Sequence, residues 1–110
     1  MSNPSGVKGS RAEREGAGMI RDLLGFPARR MLGAGRKDDV GDIEGVPDTV
    51  IQVKNYATVS DAVRLGPIDA ERQRGNAGAT FAATLVRLNG GAWRVVLTPE
   101  QWAAYVRGSL

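Results

Sequence analysis

GDIEGVPDTVIQVKN, residues Gly41–Asn55, holds two extended runs, a tight turn between them and the one dense cluster of carboxylates in the chain. Successive side chains on a strand point to opposite faces. Asp42 and Glu44 therefore share one side of the first run, and Val50, Gln52 and Lys54 share one side of the second. Gly45-Val46-Pro47-Asp48 carries hairpin-turn chemistry, with glycine and proline as the punctuating residues. A turn centred near Pro47 pairs residues whose numbers sum to 94, which sets Asp42 opposite Gln52. Their Cβ atoms are then roughly 5 Å apart, with Lys54 two residues further on.

A carboxylate, an amide oxygen and a lysine on one patch are residue types that could make a metal-dependent phosphodiester site. The bland account of Gln52 and Lys54 is the wet face of a half-buried strand. Composition narrows the alternatives. The chain of 110 residues contains no cysteine and no histidine. Disulfides, thiolate metal sites, His-ligated zinc and a Ser-His-Asp triad are thereby excluded within it. Any catalysis must use carboxylates, Lys, Arg, Tyr, Ser or Thr together with an oxygen-loving metal. Hydrophobic content of 42% and charged content of 25% are ordinary for a single globular domain of this size. No apolar run approaches the roughly 18–20 residues of a membrane span, and no signal-peptide core opens the chain. A cytoplasmic location is expected (the host cytoplasm if the chain is phage-encoded), with no membrane partner.

The net charge of +3 is unevenly placed. Residues 1–37 hold eight Lys/Arg against three acids, a local +5 that leaves −2 for the remainder. A basic segment beside an acidic knot suits a polyanion held by the first and cut at the second. Aromatic residues, at 5%, are too few for extensive stacking on single-stranded bases.

Outward from the hairpin, residues 1–9 are polar and rich in Gly and Pro, and are expected to form a flexible arm before a domain spanning residues 10–110. Ser10 and Glu13 match a capping box that opens a helix ending at Gly25. Glu13 also falls on the stripe of Ala17, Ile20 and Leu24, an odd place for a carboxylate whose only task is a cap. Ala28–Leu32 is expected as a strand, followed by the loop Gly33–Lys37, whose Gly, Arg and Lys suit either a phosphate backbone or a solvated turn. Tyr56–Gly66 reads as a connection. Pro67 opens a polar helix to about Asn76, and strands at Thr80–Arg87 and Trp93–Thr98 flank the turn Asn89-Gly90-Gly91. A last helix from Pro99 is expected to pack Trp102, Ala103 and Val106 on the sheet. The order helix, strand, hairpin, helix, hairpin, helix implies one α/β domain with a mixed sheet flanked by helices.

A helix with Glu, a strand, an Asp, a (Glu/Gln)-x-Lys strand and a further helix together resemble the PD-(D/E)XK nuclease core. GSRAEREGAGMIRDLLG, GDIEGVPD and VIQVKNY are similar to Holliday junction resolvases of the archaeal and phage type, from about Gly9 to Arg107. The resemblance implies a restriction-endonuclease-like fold and a Mg²⁺-dependent endonuclease, with Mn²⁺ able to substitute. It implies action on branched double-stranded DNA, the four-way junction, as a homodimer. By position, Glu13 matches the helical acid, Asp42 the metal-binding Asp, Gln52 the usual Glu and Lys54 the Lys. The metal set would be Glu13, Asp42, Gln52 and the Val53 backbone carbonyl. Lys8, Arg11, Arg14, Arg29, Arg30, Arg36, Lys37, Arg72 and Gln73 would contact DNA. The literal Pro47-Asp48 lies at the turn tip, roughly 13 Å from the Gln52–Lys54 patch at ~3.3 Å per residue, so Asp42 is preferred. Gln52 departs from the family's pattern and removes one negative charge, which Glu44 is expected to supply in part. Two alternatives share this fold: a nicking or restriction-type nuclease, and a catalytically silent DNA-binding relative.

Overall fold

In the computed structural model, residues 4–32, 39–55 and 58–108 are described, with the backbone alone for residues 4–10. The elements are α1 (Pro4–Leu24), β1 (Arg29–Arg30), β2 (Ile43–Glu44), β3 (Thr49–Lys54), α2 (Val59–Ala77), β4 (Phe81–Arg87), β5 (Trp93–Val96) and α3 (Pro99–Gly108). They form an α/β domain with one five-stranded mixed sheet in the order β1-β2-β3-β4-β5. Only β3 and β4 run parallel, joined by α2 as the crossover helix; the other pairs are antiparallel. No helix among the described residues is long and apolar enough to cross a membrane.

Ile43 pairs with Ile51, as the sequence register requires, but the ladder stops there and the expected pairing of Asp42 with Gln52 is not made. The hairpin turn is held from outside as well as by its own residues. Gly45 has φ +103°, and a Cβ there would lie 2.4 Å from the Pro27 carbonyl oxygen. Gly45→Ala combines an unfavourable backbone angle with a backbone clash and is expected to cost about 2–4 kcal/mol. Urea unfolding checks this, and a loss below about 1 kcal/mol would mean that the turn rearranges freely.

Alternation along β3 and β4 separates two faces. Ile51, Leu85 and Ile43 join Ala17, Ile20 and Ala28 in the core beneath α1. At Gly16 this helix lies against the sheet: a Cβ there would make ordinary van der Waals contact with Trp93, Ile43 and Leu85 at 3.4–3.5 Å. On the opposite face Val50, Gln52 and Lys54 pair with Ala82, Thr84 and Val86. The buried stripe Ala62, Gly66, Ala70 and Gln73 places α2 over this second face.

Several expectations are corrected. Helix α1 begins at Pro4, so residues 4–9 belong to its first turns and are not an arm. Proline suits a first helical position because its φ is preset and its missing N–H has no partner there. Ser10 and Glu13 consequently lie inside the helix, and Glu13 bonds elsewhere. Helix α2 begins at Val59 rather than Pro67, which it carries in its interior. Small residues at Ala62 and Gly66 hid the helical period, since only contact with the sheet marks them as a buried stripe. Helix α3 turns a different face inward: Trp102 is 62% exposed and Val106 41%. Gln101 is buried instead, its Oε1 accepting from the Ala82 N–H at 3.0 Å, and Tyr105 stacks on Phe81 at 4.6 Å between centroids. Strand β5 pairs no further toward the start of β4 than Thr84, so a side-chain acceptor at position 101 satisfies a donor that an apolar residue would leave unpaired. The loop Gly33–Lys37, with Arg36 and Lys37, and Tyr56 lie outside the described residues, as does the side chain of Lys8.

Candidate active site at the splayed end of the hairpin

Just past the Ile43–Ile51 pair the ladder gives way. The Asp42 N–H donates to the Ile51 carbonyl at 2.8 Å, one residue out of the register below it. The Asp42 side chain takes over from the missing backbone acceptor, its Oδ2 accepting from the Val53 N–H at 2.8 Å. Gly41, with φ +108°, permits the bend; a Cβ there would lie 3.0 Å from the Ile51 carbonyl oxygen. The opening between β2 and β3 thus fixes the Asp42 carboxylate beside the end of β3.

Loss of surrounding water pushes the Asp42 pKa up to about 6. The Val53 N–H and Lys54 oppose that rise, while Glu13 and Asp39 reinforce it by repulsion. Glu13, Asp39, Asp42 and Lys54 therefore share one electrostatic neighbourhood. Glu13 also accepts from Arg30 Nε at 2.7 Å, which joins α1 to β1.

Gln52 and Lys54 are not on a wet face. Helix α2 covers them, leaving Gln52 7% exposed and the Lys54 side chain 11% exposed. Lys54 Nζ bonds Asp69 Oδ2 at 2.9 Å. Gln52 Oε1 accepts from Gln73 Nε2, which also donates to Asp39 Oδ2 at 2.9 Å. Gln73, expected to contact DNA, is 1% exposed and faces the sheet, so it cannot touch a bound duplex. Its Oε1, like Thr84 Oγ1, is buried without a hydrogen-bond partner among the described residues, a cost of about 1–3 kcal/mol for each such group.

Asp39 and Asp69 complete the cluster and were not singled out from the sequence. The Asp39 carboxyl is held below its usual range: burial works against this, but the Gln73 amide, the Gly41 N–H and the Arg72 guanidinium outweigh it. Arg72 reaches Asp39 at 3.4 Å and Asp69 at 3.6 Å while staying exposed. Asp69 and Gln73 are four apart on one helix and therefore face the same neighbour, a signal that was present but unreadable until α2 was known to begin before Pro67. Glu44 does not supply charge to Asp42. It accepts from Arg29 at 2.7 Å across β1 and β2, and Asp39 is the additional acid that acts on Asp42.

Asp48 sits apart from this cluster, at φ 54° in the turn. Its Oδ1 accepts from the Thr80 N–H at 2.9 Å and its carbonyl from the Phe81 N–H at 3.1 Å. Those bonds tie the turn to the start of β4, and hydrogen bonding to Thr80 lowers the exposed carboxyl's pKa. Arg11, Arg14 and Arg29 are exposed, and Arg30 is half-buried against Glu13.

The acids beside Asp42, Glu13 and Asp39, offer oxygens, a chemistry that matches a hard cation, and the repulsion they add to the effect of burial on its pKa is what a cation would reverse. Among the described residues no three acids are grouped tightly enough to form a carboxylate cage. A cation here would lean on the neutral oxygens of Gln52 and Val53. Comparison with protein-family models, curated proteins and solved structures returns no match.

Proposed function

We propose that this chain is a PD-(D/E)XK-type endonuclease that uses a divalent cation, Mg²⁺ or Mn²⁺, to cut four-way DNA junctions as a homodimer. The observation that carries the reading is the desolvated Asp42, in electrostatic contact with Glu13 and Lys54 at the end of a strand whose Gln52 is buried and whose Lys54 is largely covered. Fixing such groups out of water is costly, and a solvated strand face has no need of it. Perturbed carboxyls with a specific charged neighbour are enriched at functional sites.

In this reading Glu13, Asp42, Gln52 Oε1 and the Val53 carbonyl hold the cation. When bound, it supplies positive charge against phosphoryl oxygens and acidifies water at neutral pH. Asp42 is the anionic anchor, kept in place by the Val53 N–H. Lys54 is aimed by Asp69 and orients the attacking water or offsets the negative charge that develops on the phosphate. Arg11, Arg14, Arg29 and Arg72 stand at the surface to take phosphate contacts, which position DNA without reading sequence.

An exposed apolar face supports the two-fold partner. Leu23, Leu24, Val95 and Tyr105 line a groove of about 270 Å³, and Trp102 and Val106 are exposed on α3, the helix that carries Tyr105. Apolar patches of this kind mark interaction surfaces, and a second copy would supply the second site that a junction's paired strands require.

A second reading, a silent DNA-binding protein, is favoured by the bond from Gln73 to the Gln52 oxygen, the atom that a cation would need. One assay separates the readings: four-way junctions, linear duplexes and flaps incubated with Mg²⁺ or Mn²⁺. Symmetric paired nicks confined to junctions are expected. Equal cutting of linear duplex would replace the resolvase by a general nuclease, and binding without cutting under both metals would leave the silent binder.

A further inference from the structure

We propose that Gln73 is a positioning residue, holding the Gln52 side chain in one orientation and tying it to Asp39; the inference rests on the nuclease reading above and extends it to α2. The two ends of a glutamine amide differ little in shape, so an unrestrained Gln52 would present oxygen or nitrogen with similar ease. Only the oxygen can bind a hard cation.

The chemistry of the neighbours removes that freedom. Gln73 Nε2 faces two acceptors at once, Gln52 Oε1 and Asp39 Oδ2. Turning the Gln73 amide over would set its oxygen against both. Turning over Gln52 would set one NH₂ against another. Each amide therefore fixes the other, with ionised Asp39 as the anchor that accepts only.

Two features suggest that stability alone did not choose this residue. Gln73 Oε1 has no partner among the described residues although the side chain is 1% exposed. Helix α2 also approaches at the limit of contact here: Thr84 pairs with Gln52, and a Cβ at Gly66 would lie 2.5 Å from Thr84 Cγ2. That approach brings position 73 within reach of position 52.

The test uses the full chain as wild type, Gln73→Met, Gln52→Met and the double variant. In metal-free protein, side-chain ¹⁵N relaxation should show the Gln52 amide rigid in the wild type. In Gln73→Met, with the fold retained, its order parameter should fall from about 0.85 to below about 0.6. An equally rigid Gln52 in both proteins overturns the proposal. Calorimetric titration with Mn²⁺ supplies the second readout. Gln73→Met should weaken binding about tenfold when Gln52 is present and not at all beside Gln52→Met, as expected of residues acting through one another. Equal losses in both backgrounds also overturn it. If the wild type binds no Mn²⁺, the metal-dependent nuclease reading fails, and positioning is decided by the amide order alone.

Discussion

Asp42→Asn is expected to abolish cleavage while stabilising the metal-free fold above pH 6. Asn has no charge to anchor a cation, and losing one such electrostatic contact typically lowers turnover on the order of 10²–10³-fold. Its Oδ1 can still accept from the Val53 N–H, so the local geometry should survive. Stability moves the other way. Unfolded, an aspartate loses its proton near pH 3.9; folded, Asp42 does so at about 6. Between those values the folded state binds more protons, so its stability falls as pH rises. The fall amounts to ~3 kcal/mol over about two units, fully present above pH 6. The variant escapes it. Asp39, Asp48 and Asp61 are lowered and give the opposite slope at lower pH; Asp48 and Asp61 cancel in the difference, whereas Asp39, which repels Asp42, is also relieved in the variant. Urea titrations in chelator from pH 4 to 8 measure that difference. A variant no more stable than wild type at pH 7.5 would contradict the burial of Asp42. Adding Mg²⁺ should favour the wild type alone, because only it gains by binding.

Lys54→Ala carries the second large effect. Cutting should fall on the order of 10²–10³-fold, with junction binding nearly intact, since a side chain only 11% exposed offers little surface to DNA. The variant also strips Asp69 of its 2.9 Å partner, which costs about 1–3 kcal/mol for a half-covered acid that Arg72 can still approach. Lys54→Ala with Asp69→Asn should recover part of that stability and none of the cutting. Undiminished cutting by Lys54→Ala, measured on junction substrates under single-turnover conditions, would remove Lys54 from the site.

The sequence by itself determined the order of elements and the pairing of the central hairpin. Both follow from local chemistry: turn residues at 45–48, period-two alternation along 49–54, and Asn-Gly-Gly between β4 and β5. The 43–51 pair is the consequence, and with it the place of Asp42 near the end of β3. Glu13 could likewise be seen as misplaced on its helix, although its bond to Arg30 could not. What Gln52 and Lys54 touch was decided by tertiary structure. Their partners Gln73 and Asp69 are 21 and 15 residues away, on a helix whose packing face is made of Ala62, Gly66 and Ala70. Such small residues carry little hydrophobic signal alone and matter because they let α2 lie close to the sheet. The same holds for Asp39, joined to Gln73 across 34 residues, and for α3, where an unpaired Ala82 N–H drew Gln101 inward and left Trp102 outside. Alternation says which side chains share a face; only the packed helix says whether that face is wet.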